Sequence, residues 1–202
     1  MDQLSALVLC TTLTPSPDRS SSHLLGQQVL DALKEHDVTG EIVRVVDHDV
    51  RPGVELDMGD GDEWPALRRK MLDADILVIA TPIWVGHPSS LTQRVVERLD
   101  AELSAKDDQG RLLTYGKVAG VAVVGNEDGA HHVSAEVFQA LNDVGFSLPA
   151  AAVTYWVGEA MQGTDYQDLD ETPETTAATT TTLAAHLAHL ARVLKAGPYP
   201  PG

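Results

Sequence analysis

Three things are scarce in this chain: cysteine, basic residues and long apolar runs. Cys10 is the single cysteine in 202 residues, which excludes an internal disulfide, a paired-cysteine redox motif and a cysteine-held iron–sulfur cluster. It closes the apolar run LSALVLC and reads as an inert core thiol rather than a nucleophile. Bases are few: 14 Lys and Arg against 30 Asp and Glu give a formal net charge of −16. Nucleic acid and anionic membrane both require a basic footprint, so neither is an expected partner. No apolar run approaches the roughly 20 residues of a membrane span. The opening MDQLSALVLC lacks the basic segment and cleavage site of a secretory leader. The expectation is one cytoplasmic domain over residues 1–202. Walker A, GxGxxG and GxSxG spacings are also absent, which removes P-loop, dinucleotide-fingerprint and serine-hydrolase readings.

What is present alternates between two periods. Leu4–Cys10, Thr39–Val46, Ile76–Ala80, Val118–Val124 and a short run within Leu148–Trp156 are dense in β-branched and apolar residues, as strands buried on both faces must be. Thr81–Pro82 is expected to end the third of these. Between the strands lie helical stripes: Leu25 to His36, Trp64–Leu72, Leu91 to Leu103, and Val137 to Val144 closed by Gly145. A last stripe, Leu183, Leu187, Leu190 and Leu194, follows a Thr-rich start over Thr175–Thr182 that is expected to fray. Strand–helix alternation predicts an α/β fold: a doubly wound five-stranded parallel sheet with helices on both faces. The acids cluster at Glu55–Glu63, Asp100–Asp108 and Glu159–Glu174, read as solvated loops, and Glu97 and Glu102 are expected to face water.

In such a sheet, three loops share the carboxyl edge, where ligands bind. Thr11–Ser22 offers Thr12, Ser20 and Ser22 just ahead of a helix, and hydroxyls plus free N–H groups at a helix start hold a phosphate without a cation. Pro82, Ile83, Trp84, Val85 and Gly86 form an apolar, aromatic shelf closed by glycine. Gly125, Asn126, Glu127 and Gly129 form a loop in which glycine lets the backbone approach a ligand. Together the loops describe a flat mononucleotide, phosphate at one end and ring at the other. Taken singly, each is equally a solvated connector. His131 and His132 point in different directions at a helix start and no third ligand is spaced to join them, so no metal site is expected.

TPIWVGHPSSLTQRVVERLD is similar to the T-P-x-(Y/W)-x-G-x-P-S segment of flavodoxin-like FMN proteins, close to the NADPH-dependent FMN reductase and WrbA-like group. Ser21–Leu25 resembles that group's phosphate segment loosely, and GNEDGAHH resembles its third flavin loop. The first loop departs from the family, with Thr11–Thr12–Leu13–Thr14 in place of G-S-x-R, and residues 47–61 match no motif. The resemblance implies strand order 2-1-3-4-5. It places the FMN phosphate on Thr12, Ser20 and Ser22 and the ring against Pro82–Gly86 and Gly125–Gly129. One of the paired histidines, His131, is implied at the ring or at NAD(P)H. The implied activity passes electrons from NAD(P)H through FMN to a quinone-like or flavin acceptor, with no side-chain acid or base required. A flavodoxin-type electron carrier without NAD(P)H turnover is the alternative. By family analogy the chain is expected to form a homodimer or higher oligomer.

Overall fold

The computed structural model describes residues 3–160 and 162–200. Five parallel strands form the sheet: β1 (Leu4–Cys10), β2 (Val38–Arg44), β3 (Ile76–Trp84), β5 (Val118–Gly125) and β6 (Val153–Val157). Their order is β2-β1-β3-β5-β6, and a two-residue strand β4 (His87–Pro88) pairs antiparallel with β3 alone. With β4 left out of the count, this is the expected 2-1-3-4-5 order. The helices are α1 (Ser21–Lys34), α2 (Trp64–Asp73), α3 (Ser90–Leu99), α4 (Ala130–Asp143) and α5 (Glu174–Ala196).

Period-2 alternation divides the strands between two cores. Leu7, Leu9, Leu77, Ile79, Val121 and Val123 face α2, α3 and α4, while Ala6, Val8, Val78, Ala80, Ala122 and Val124 face α1 and α5. α1 lies close on its face because residue 26 is glycine: a Cβ there would come within 2.9 Å of Ile42 Cδ1 and 3.2 Å of Ala80 Cβ. Cys10 is fully buried, and burial pushes its thiol up to about 11, so it is unreactive at neutral pH.

Several boundaries differ from the sequence reading for identifiable reasons. β3 does not stop at Thr81–Pro82 but continues to Trp84. β1 pairs with β3 only through Cys10↔Ala80, so beyond that point the β1 side of β3 is an edge, where a missing proline donor costs no ladder bond. The Thr-rich start of α5 is helical from Glu174, because its hydroxyls bond outward to β6: Thr154 Oγ1 lies 2.9 Å from both Thr179 and Thr180 Oγ1, and Thr176 donates to the Tyr155 carbonyl. Glu102 does not face water. It is fully buried and accepts two bonds from Arg68, at 2.6 and 3.0 Å.

The segment 47–63, acidic and without periodicity, is held by Arg98. This buried guanidinium donates to Asp62 at 2.7 Å and to the carbonyls of Arg51 and Glu55, and it stacks 5.6 Å above the Trp64 ring. Asp62 also accepts from the backbone N–H groups of Met58, Arg51 and Trp64. Burial pushes its carboxyl up, but the Met58 and Arg98 donors, with those of Trp64 and Arg51, outweigh it and hold the pKa at about 2. A depressed folded pKa stabilises above the unfolded value, and the contribution is lost as pH falls from about 4 through 2. Asp62→Asn is expected to destabilise the protein at pH 7 by about 3 kcal/mol, because Arg98 loses its buried counter-charge. That deficit should shrink toward pH 2 in urea unfolding, and a deficit independent of pH would contradict this assignment.

Candidate functional site

The carboxyl ends of β1 and β3 are joined by a buried hydroxyl network. Thr11 Oγ1 donates to the Ala80 carbonyl and lies 2.6 Å from Thr92 Oγ1, which donates to Thr81 Oγ1 at 2.7 Å. Ser89 is the N-cap of α3: its Oγ accepts from Thr92 N–H and donates to the Thr11 carbonyl at 2.6 Å. The network therefore fixes where the first loop leaves the sheet and where the β3–β4 hairpin turns back into α3.

The first loop is shaped from the β2 side. Arg44 is buried at the end of β2, and its Nη1 donates to the carbonyls of Thr14, Pro15 and Asp18 at 3.3, 3.0 and 2.7 Å. Its Nε donates to His23 Nδ1; burial and the adjacent guanidinium push the His23 pKa down, leaving a neutral acceptor. Asp47, just past β2, accepts from Ser16 N–H at 2.9 Å. The one base in the run EIVRVV was the sequence signal for this clamp, and it was missed because Arg44 sits where a strand residue would normally be read as surface.

Around this frame lies a cleft of about 190 Å³ at the carboxyl edge, between β1 and β3, where the chain's winding direction reverses. Of the expected site residues, the cleft brings together Thr12, Ser20, Ser22, Pro82, Ile83, Trp84, Gly125 and Asn126. Ser20 is the N-cap of α1. Its Oγ accepts from His23 N–H and lies 2.9 Å from Thr12 Oγ1, while the N–H groups of Ser21 and Ser22 precede any intrahelical acceptor. Donors and a helix dipole thus converge at one end of the cleft. Trp84, 56% exposed, also lines the cleft, as do Trp156 and Tyr166, whose rings lie 5.4 Å apart and tilted by 44°.

Val85, Gly86, Glu127, Gly129 and His131 do not line this cleft. Val85 is 86% exposed at the hairpin tip. Gly86 and Gly129 pack against each other: a Cβ on Gly129 would stand 3.0 Å from Gly86 Cα and its φ is 131°. Glu127 accepts from Gly86 N–H at 3.5 Å. His131 turns the other way, its ring edge-on to Tyr155 at 5.3 Å above a separate depression. Its neighbour His132 meets His87 and Glu136 instead, a convergence that linear spacing does not reveal because β4 supplies His87.

The sequence reading also missed one wall. Glu159–Glu174 was expected to be solvated, yet Asp165, Tyr166 and Gln167 line the cleft and Tyr166 is buried. The segment bridges the first and third loops: Asp165 accepts from Asn126, Gln167 N–H donates to Ser21 Oγ, and Arg19 pairs with Asp168 at 3.0 Å. Tyr166, the one aromatic in that acidic stretch, was the available signal. Gln167 Oε1 is buried and has no hydrogen-bond partner among the described residues, so it is a spare acceptor beside the cleft. Phosphate donors, an aromatic flank and a spare acceptor fit a flavin mononucleotide.

Comparison with known proteins places the chain in a family. Residues 7–162 match the family model of NADPH-dependent FMN reductases. The chain is 41% identical over 171 residues, 83% of its length, to the divalent metal cation transporter MntH of Mycobacterium bovis, and it spans a quarter (25%) of that protein. It is 39% identical over 172 residues, 81% of its length and 67% of the relative's, to 8-demethyl-8-aminoriboflavin-5'-phosphate synthase of Streptomyces davaonensis. Among solved structures it is similar to RosB with bound 8-demethyl-8-formylriboflavin-5'-phosphate, with a TM-score of 0.87 and 37% identity over 97% of this chain and 82% of that one. The chain belongs to the NADPH-dependent FMN reductase family.

Proposed function

We propose that the cleft between β1 and β3 holds FMN and that the protein oxidises NAD(P)H, passing the electrons to a quinone-like or flavin acceptor. The observation that carries this reading is the pairing of a hydroxyl-capped helix start, at Thr12, Ser20 and Ser22, with an aromatic flank across one cleft. The Ser20 and Thr12 hydroxyls and the N–H groups of Ser21 and Ser22 would hold the phosphate. Arg44 keeps their loop in shape from beneath without itself entering the cleft. Pro82, Ile83 and Trp84 would hold one side of the ring and Gly125 and Asn126 its polar edge. When bound, FMN supplies the hydride and electron chemistry, so the protein's part is positioning and shielding. A pyridine nucleotide would approach from the side of Trp84, which is exposed to solvent.

A second reading has its own support. Two of the proteins it is similar to make or hold modified flavin phosphates: one is an aminoriboflavin-phosphate synthase and the other holds a flavin with a formyl group at position 8. The same cleft would then take riboflavin phosphate as substrate to be altered.

Ser20→Ala and Thr12→Val are each expected to weaken FMN binding by about tenfold or more, because a hydrogen bond to a charged phosphate is worth about 1.5–3 kcal/mol, and Arg44→Met by more, because it releases the whole loop. Trp84→Ala should raise the FMN Kd while leaving the melting temperature of the flavin-free protein unchanged. Fluorescence titration of FMN measures all four, and unchanged affinity in every variant would remove the flavin from this cleft. To separate the two readings, NADPH oxidation by the FMN-loaded protein is followed with a quinone acceptor, and the flavin is then recovered for mass spectrometry. The reductase reading expects turnover with the flavin mass unchanged. Altered flavin mass without NADPH turnover would favour the second.

A further inference from the structure

Outside the cleft, three side chains from two separate elements converge on one point. His132 and Glu136 lie one turn apart on α4, an i,i+4 pair on a single helical face, with His132 Nε2 and Glu136 Oε1 3.1 Å apart. His87 comes from β4, which is held opposite Trp84 by the β3–β4 pairing. Its Nδ1 lies 3.3 Å from His132 Nε2 and 3.6 Å from Glu136 Oε1, with the two imidazoles edge-on at 4.9 Å. Both rings and the carboxylate are solvent-exposed, so the point is reachable from bulk water.

Hydrogen bonding alone serves this arrangement poorly. The 3.6 Å separation is too long for a bond, and a single Nε2–H on His132 cannot donate well to both a carboxylate and a second imidazole. A metal ion satisfies all three atoms at once. Four ligands at about 2.0–2.1 Å around tetrahedral zinc stand about 3.3 Å from one another, and the three separations here are 3.1, 3.3 and 3.6 Å. Two imidazole nitrogens and one carboxylate oxygen suit zinc and its neighbours in the transition series rather than magnesium or calcium, which take oxygen ligands. The chain's net charge of −16 concentrates cations at its surface in addition.

We propose that His87, His132 and Glu136 form a site for a divalent transition-metal ion, zinc by geometry, with the fourth position open to water. The ion would tie the β3–β4 hairpin, which carries Trp84, to the first turns of α4. The site shares no side chain with the cleft, so it stands whether or not FMN binds there.

The test is calorimetric titration of zinc chloride into tag-free, chelator-treated protein in a non-coordinating buffer. One saturable equivalent is expected. His87→Ala, His132→Ala and Glu136→Gln should each weaken it by at least about tenfold, since even a residue that only orients a metal ligand costs 10- to 100-fold when lost. The exposed His189→Ala should leave it unchanged. All three ligand positions are exposed, so the variants should keep the parent's circular dichroism and melting temperature without metal. Added zinc should raise the melting temperature of the parent alone. No saturable binding to the parent, equal affinity in the three variants, or displacement of zinc by a modest excess of magnesium would each overturn the proposal.

Discussion

The structure depends on how the ends of β1 and β3 are tied together. At the ends of this parallel pair the Thr11 carbonyl accepts from Ser89 Oγ, and the Ala80 carbonyl accepts from both the N–H and the hydroxyl of Thr11, all inside the protein. Thr92 joins them to Thr81 from the first turn of α3. Four buried hydroxyls thus replace water at the point where the sheet opens, and the backbone there cannot drift without stranding them. The two sides of the cleft, the loop before α1 and the β3–β4 hairpin, both depart from this knot. Their separation is set by it rather than by the loops themselves.

The acid excess bears on the same point. Against 30 acids the chain has 14 bases, and several of its arginines are engaged away from the cleft. Arg44 lies under the first loop, taking the carbonyls of Thr14, Pro15 and Asp18. Arg98 and Arg68 are consumed by the buried carboxylates Asp62 and Glu102. Of the cleft's side chains only Arg19 is positive, and it is paired with Asp168. In the proposed site, phosphate recognition would fall to helix-start amides and hydroxyls, which need no net charge.

The fold was legible because its signal is local. LSALVLC, ILVIA and VAGVAVV are apolar on both faces, and only a sheet covered on both sides accommodates such strands. The hydroxyl-rich loop and the Trp84 shelf were legible for the same reason: their composition is unusual within a few residues. What escaped the sequence rests on contacts between distant segments. Glu102 looks like any helix-surface acid until Arg68, 34 positions earlier, is placed beside it. The cleft wall at Asp165–Gln167 exists because Asn126 and Arg19 reach across to it from two other loops. Threonines 176, 179 and 180 are poor helix formers in isolation, and the bonds that hold them come from β6. His87 reaches His132 only because Pro82 does not end β3 and the hairpin folds back.

A crystal structure of the protein grown with FMN tests the central claim most directly. The account predicts phosphate density at the start of α1, within hydrogen-bond distance of the Ser20 and Thr12 hydroxyls. It predicts the ring between Trp84 and the Gly125–Asn126 turn, with Gln167 Oε1 newly partnered. Flavin bound anywhere else, or with its phosphate turned away from α1, would contradict it.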